Sequence, residues 1–162
     1  MVIRMAKLDD APQIAAIYAP IVTDTTISFE EQAPDAGEMA LRIEKVMQRY
    51  PWLVAVDEAG VAGYAYATEH RSRPGYRYSV EVSAYVAQRA RRRGAGRQLY
   101  ERLFADCAER EFHRAFAGVA LPNDASVALH TAVGFEPIGV YHEIGFKFGR
   151  WIDVAWFQRG LP

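Results

Sequence analysis

The chain has 162 residues, enough for one domain with a sizeable core. Apolar residues make up 51% and charged residues 24%, a balance that excludes disorder and favours a globular fold. Lys and Arg number 19 against 20 Asp and Glu, and the net charge of -1 argues against a protein held on nucleic acid.

Met1 to Lys7 reads as a strand and lacks the long apolar segment of a signal peptide. No run approaches the ~20 apolar residues of a membrane span, so a cytoplasmic protein off the membrane is expected. Asp9 and Asp10 suit the start of a helix with Pro12 in its first turn, running through Ile14, Ile17, Tyr18 and Ile21. Thr23 to Glu30 reads as a loop. A second helix starts at Asp35, with Glu38 as capping-box partner and Met39, Ile43, Val46, Met47 and Tyr50 as its apolar stripe; Pro51 ends it. Trp52–Val56 and Val61–Ala67 flank the turn residues 57–60 as a hairpin.

Tyr78 to Val86 alternates, with Val80, Val82, Ala84 and Val86 on one face and Ser79, Glu81, Ser83 and Tyr85 on the other. A helix is expected over about Ala95 to Glu111, then a strand over Ala115–Leu121. The only cysteine, Cys107, allows no intrachain disulfide and no cysteine-rich metal site. It lies on the stripe Leu99, Leu103, Phe104, Cys107 and reads as a small core residue. Asn123 is the expected N-cap of a further helix that Gly134 closes. Ile138–Ile144 and Trp151–Phe157 read as a closing strand pair. The order β-α-α-β-β-β-α-β-α-β-β is that of an α/β fold with a mixed sheet.

Between the Tyr78–Val86 strand and the next helix lies Arg91-Arg92-Arg93-Gly94-Ala95-Gly96. Glycines let the backbone approach closely, N–H groups point outward, and the helix dipole favours negative charge. The spacing is neither Gly-x-Gly-x-x-Gly nor a P-loop. A solvated arginine run would look the same in isolation. A basic residue, two residues, then Gly-x-Gly resembles the pyrophosphate loop of the GNAT N-acetyltransferases, which bind acetyl-CoA.

Acetyl transfer from a thioester to an amine needs a base for the ammonium proton, donors for the oxyanion, and help for the leaving thiolate. Glu81, mid-strand just before the loop, is the candidate base. Its bland alternative is a solvent-facing strand residue beside Ser79, Ser83 and Tyr85. His130 stands in Leu129-His130 ahead of Gly134-Phe135, where the wider family has a Tyr near the cofactor sulfur. A satisfied packing histidine is its alternative, and which proton it handles stays open. His70, His113 and His142 match no such position, and no histidine pair has metal-helix spacing.

Ser79–Val86, Leu121-Pro122-Asn123, Ser126–His130 and Gly145–Val154 together resemble the phosphinothricin N-acetyltransferases and the related methionine sulfoximine and methionine sulfone acetyltransferases. The resemblance runs from Tyr18 to Leu161 and implies the GNAT fold, with a splay between two central parallel strands. It implies Glu81 and His130 as the acid/base residues. The pyrophosphate falls to Arg91, Arg92, Arg93, Gly94, Ala95 and Gly96. Tyr85 and Val86 pair with the pantetheine amides, a backbone donor near Val82 or Tyr85 holds the acetyl oxygen, and Asn123 reaches the pantetheine arm. Arg71 and Arg73 match basic substrate positions suited to a carboxylate, Tyr76 an aromatic one, and Phe29 and Glu30 a loop bordering the substrate. Pro74, Gly75 and Arg77 depart from the subfamily, which bears on the preferred amino acid. A small amine substrate, acetyl-CoA as cosubstrate, no metal and a homodimer are the implied partners. An acetyltransferase for another amine (a protein N-terminus, an aminoglycoside, a polyamine) and a non-catalytic CoA-binding module are the rival readings.

Overall fold

Period-two runs become strands and period-3.6 runs become helices in the computed structural model, which describes residues 1–162. The elements are β1 (Val2–Met5), α1 (Ala11–Asp24), α2 (Ala36–Met47), β2 (Trp52–Asp57), β3 (Gly60–Glu69), β4 (Ser79–Val86), α3 (Ala95–Glu109), β5 (Arg114–Ala120), α4 (Asp124–Ala132), β6 (Glu136–Lys147) and β7 (Arg150–Gly160). The order is the one the sequence implies. One seven-stranded sheet runs β1-β2-β3-β4-β5-β7-β6. Only β4 and β5 pair in parallel; every other neighbour is antiparallel.

The β4–β5 pairing is short. It joins Ser79, Val80 and Glu81 to Arg114, Ala115 and Phe116, and then stops. Beyond Glu81 the strands part, so residues 82–86 keep their β3 partners on one edge and have none on the other. This is the splay, and it leaves an open strand edge inside the sheet.

The two sheet faces carry separate cores. On one, Leu99, Leu103, Phe104 and Cys107 of α3 pack against Ala65, Val80, Val82 and Ala117. On the other, Ile14 and Val22 of α1 and Ile43 of α2 pack on Trp52, Val54 and Tyr64. Each fully buried aliphatic side chain contributes about 1.5–3 kcal/mol. Glu81 alternates with Val80 and Val82, so its carboxylate emerges on the α1/α2 face.

Local signals differ in detail. Asp35 caps α2 by accepting from the Glu38 amide at 2.8 Å, but Glu38 turns its carboxylate to Arg42 instead of completing a capping box. Tyr50 lies past the end of α2, stacked on Phe112 at 5.3 Å. α3 stops at Glu109, and Glu111 already has φ 68°.

Gly145 and Lys147, in the Gly145–Val154 segment of the resemblance, have a packing role. A Cβ on Gly145 would overlap the Phe29 ring. The ammonium of Lys147, 4% exposed, donates to the Val22 and Ser28 carbonyls, each at 2.6 Å. The closing hairpin thereby ties down the loop after α1.

Candidate active site

The splay opens into a cavity of about 700 Å³. Its walls are residues 82–86 of β4, Gly118–Ala120 of β5, the start of α3, and Asn123, Ser126, Leu129 and His130 of α4. Two orphan sets of backbone groups face it. One is the open β4 edge. The other is the N-terminus of α3, whose first amides lack an intrahelical acceptor and receive no side-chain cap. Gly94 sits at the N-cap with φ 80°, a left-handed conformation that leaves these amides exposed. Gly96 packs closely, since a Cβ there would lie 3.1 Å from Leu129. Arg91 and Arg92 line the cavity. Arg93 does not: its guanidinium turns to Asp57 at 3.4 Å, beside Arg89 at 2.7 Å, so two of the clustered arginines brace the β2–β3 turn. The donor set fits a diphosphate on an extended amide-bearing arm. Asn123 lines the same wall and caps α4, its Oδ1 accepting the Ser126 amide at 3.2 Å and its amide N–H groups remaining to donate.

At the far end the cavity meets His130, 5% exposed. Its Nδ1 lies 2.7 Å from the Ser126 carbonyl, which can only accept, so Nδ1 carries the proton. Nε2 is therefore the lone pair, and the Tyr100 hydroxyl, 3.0 Å away, donates to it. Burial lowers the His130 pKa and keeps the ring neutral, and burial raises that of Tyr100. Phe135 at 5.3 Å and Phe157 at 5.8 Å close round the imidazole. Tyr100 also lines the cavity, and as a buried aromatic beside the apolar stripe of α3 it has no mark in the sequence.

Glu81 lies across the sheet from His130. It is the last residue of β4 paired with β5, and Val82 and Ser83 beside it line the cavity while its own side chain does not. The splay is the passage between the two faces. The sequence gives His70 no role, yet its Nδ1 lies 3.1 Å from Glu81 Oε2. Only the three-dimensional return of β3 to β4 brings them together.

The α1/α2 face beside Glu81 also holds a cavity of about 400 Å³, walled by Tyr18, Trp52, Tyr66, Arg42 and Thr68, the β3 partner of Glu81. Arg71, Arg73 and Tyr76 lie on the exposed segment joining β3 to β4, outside both cavities, with Arg71 5.8 Å over the Tyr76 ring. Neither arginine enters an ion pair. Phe29 is half-exposed against the hairpin. Glu30 is tied to two side chains that wall the 400 Å³ cavity, Arg42 and Tyr18. Arg42 grips it at 2.6 and 3.0 Å and holds its carboxyl below the usual range, and the Tyr18 hydroxyl donates to it. No group of three His, Cys, Asp or Glu side chains is arranged to hold a metal, and no helix is long and apolar enough to cross a membrane.

Gly94→Val is expected to strain the φ 80° position by about 1–3 kcal/mol and to disturb the amides it exposes. The KM for acetyl-CoA should rise while kcat at saturation holds; an unchanged KM in the folded variant would rule out the diphosphate site.

Comparison with known proteins agrees with this geometry. Residues 3–156 match the model of the acetyltransferase (GNAT) domain. A phosphinothricin N-acetyltransferase of Alcaligenes faecalis is 45% identical over 161 residues, covering 98% of this chain and 82% of that protein. An L-methionine sulfoximine/L-methionine sulfone acetyltransferase of Pseudomonas paraeruginosa is 39% identical over 161 residues, covering 98% and 94%. The crystal structure of a phosphinothricin acetyltransferase from Sinorhizobium meliloti in complex with AcCoA superposes with a TM-score of 0.94 at 40% identity, covering 99% of this chain and 88% of that one. The parted parallel strands, the uncapped glycine-led helix and these matches over nearly the whole length make the chain a member of the GNAT family of acetyltransferases.

Proposed function

We propose that the chain moves acetyl from acetyl-CoA to the α-amine of a small amino-acid-like compound of the phosphinothricin, methionine sulfoximine or methionine sulfone type. The observation that carries this reading is the open β4 edge, with Glu81 on one face of the sheet and the Tyr100–His130 pair on the other. Acetyl-CoA, when bound, supplies an acetyl group activated as a thioester. Residues 91–96 bind its pyrophosphate through main-chain amides, with Arg91 and Arg92 adding charge. Tyr85, Val86 and Asn123 hold the pantetheine arm, and an amide near Val82 or Tyr85 receives the acetyl oxygen. The amine comes from the α1/α2 face, where Glu81 takes the ammonium proton. Arg71 and Arg73, free of ion-pair partners, receive the substrate carboxylate, with Tyr76 and Phe29 at the border.

Entry from opposite faces supports direct attack in a ternary complex. Cys107 is fully buried and its thiol is pushed up to about 12 by burial, so it offers no thiolate for an acyl-enzyme. The exposed Ile144, Phe146 and Trp151 on the outer β6–β7 hairpin support a homodimer through that surface, checked by solution mass from light scattering: a mass of one chain rejects it.

The test is thiol release from acetyl-CoA with phosphinothricin, methionine sulfoximine, methionine sulfone, a polyamine and a peptide N-terminus. The amino-acid analogues should turn over with intersecting initial-velocity lines. Parallel lines reject direct attack. Turnover confined to the polyamine or peptide replaces the substrate class, and no release with any amine reduces the chain to a CoA-binding module.

A further inference from the structure

The geometry points to His70 as the positioning residue of Glu81, an inference that rests on reading Glu81 as the base. His70 follows directly on β3, and its ring is fixed on two sides. It stacks on Phe116 at 4.5 Å with 13° between planes, and Trp156 meets it edge-on at 5.9 Å. Phe116 is the β5 residue in register with Glu81, at the last rung before the splay. The imidazole therefore lies over the point where the sheet opens. Its side chain is only 15% exposed, against 36% for Glu81.

Nδ1 of His70 faces Glu81 Oε2 at 3.1 Å. A carboxylate accepts and does not donate, so Nδ1–H is the donor. This contact engages one oxygen and leaves Oε1 with no protein donor to take the ammonium proton. A half-exposed Glu on a strand otherwise samples several rotamers, most of them directed at water. A hydrogen bond from an immobilised ring holds one of them at the mouth of the splay. The proton goes from the substrate nitrogen to Oε1, and His70 keeps its own throughout. A base gains rate from being held in the attack geometry, and misplacement by about 1 Å can cost on the order of a hundredfold.

Two substitutions separate the hydrogen bond from the stack. His70→Phe retains a ring on Phe116 and removes the N–H. His70→Asn removes the ring and places an amide N–H where Nδ1 stood. For His70→Phe we expect kcat to fall roughly tenfold to a hundredfold with the KM for acetyl-CoA and the Tm nearly unchanged. His70→Asn should restore most of the turnover. Wild-type kcat in His70→Phe, or equal losses in both variants, would overturn the assignment. If the Phe variant does not fold, His70→Leu takes its place with the same two outcomes. Glu81→Gln, measured alongside, distinguishes the two levels. Wild-type turnover in Glu81→Gln removes the base and the positioning role together. Collapse in Glu81→Gln with normal His70→Phe removes His70 alone. In the double variant, His70→Phe should add no further loss to Glu81→Gln, because it acts only through that carboxylate.

Discussion

Glu81→Gln is expected to lower kcat by a factor on the order of 10² to 10⁴, the usual contribution of a positioned general base. Gln fills nearly the same volume, and its carbonyl can still accept from His70 Nδ1, now 3.1 Å from the carboxylate. What it loses is basicity. Glu81 is not part of the wall of the 700 Å³ cavity, so the KM for acetyl-CoA should stay within about twofold of wild type. The pH profile carries the sharper signature. With the carboxylate gone, the amine loses its proton only to solvent, and the residual rate should climb with pH until the amine's own ionisation is complete. The measurement is kcat and kcat/KM against pH for one responsive amino acid. A wild-type profile in a folded Glu81→Gln variant would leave Glu81 as a strand residue facing solvent.

The sequence exposes this site unevenly, for physical reasons. Glu81 is readable as a candidate because a carboxylate stands mid-strand just before an anion loop. The loop is readable because a left-handed Gly94 and uncapped amides leave a compositional mark. Alternation and helical stripes fix the order of elements because each buries one side only. Contacts between elements far apart in the chain leave no such mark. His70 reaches Glu81 only after β3 folds back on β4, and Tyr100 reaches His130 across 30 positions of chain. Arg93 reads like its neighbours Arg91 and Arg92, yet Asp57, far away in sequence, claims it. Glu30 lies on a loop expected to border the substrate, and its ties to Arg42 and Tyr18, each 12 positions away in the chain, have no sequence signal. The Gly145–Lys147 part of the resemblance is set by packing, because Phe29 fills the space a Cβ on Gly145 would take and the Ser28 carbonyl accepts from the Lys147 ammonium.

Tyr100→Phe tests which way protons move on the far face. The Ser126 carbonyl holds His130 as the Nδ1–H tautomer, and burial keeps the ring neutral. In that state Nε2 can accept a proton and has none to give a departing thiolate. Protonating the thiolate from His130 would require an imidazolium already present in the resting site, where burial disfavours it and no counter-charge stands beside it. The direction the geometry allows is toward the histidine: after attack the Tyr100 oxygen takes the second proton that the nitrogen sheds and passes its own to Nε2, 3.0 Å away, and the departing thiolate offsets the charge of the imidazolium so formed. Removing the hydroxyl alone should then lower kcat about tenfold to a hundredfold, near the low end of acid–base contributions. A purely packing His130 predicts something else. Its unsatisfied Nε2 would cost about 1–3 kcal/mol of stability and leave kcat intact. His130→Asn, whose amide can still donate to the Ser126 carbonyl, should lower kcat similarly, and the double variant should lose little more. Stability offers a second readout. The unfolded chain takes up a proton on this histidine as pH falls through its ordinary value near 6.5, whereas the folded chain resists. Wild-type stability should therefore drop as pH falls below about 6.5, and His130→Asn should flatten that slope whatever its absolute Tm. Equal slopes in the two proteins, followed as Tm between pH 5 and 7, would mean that His130 is protonated as readily folded as unfolded, and the neutral acceptor would go with it.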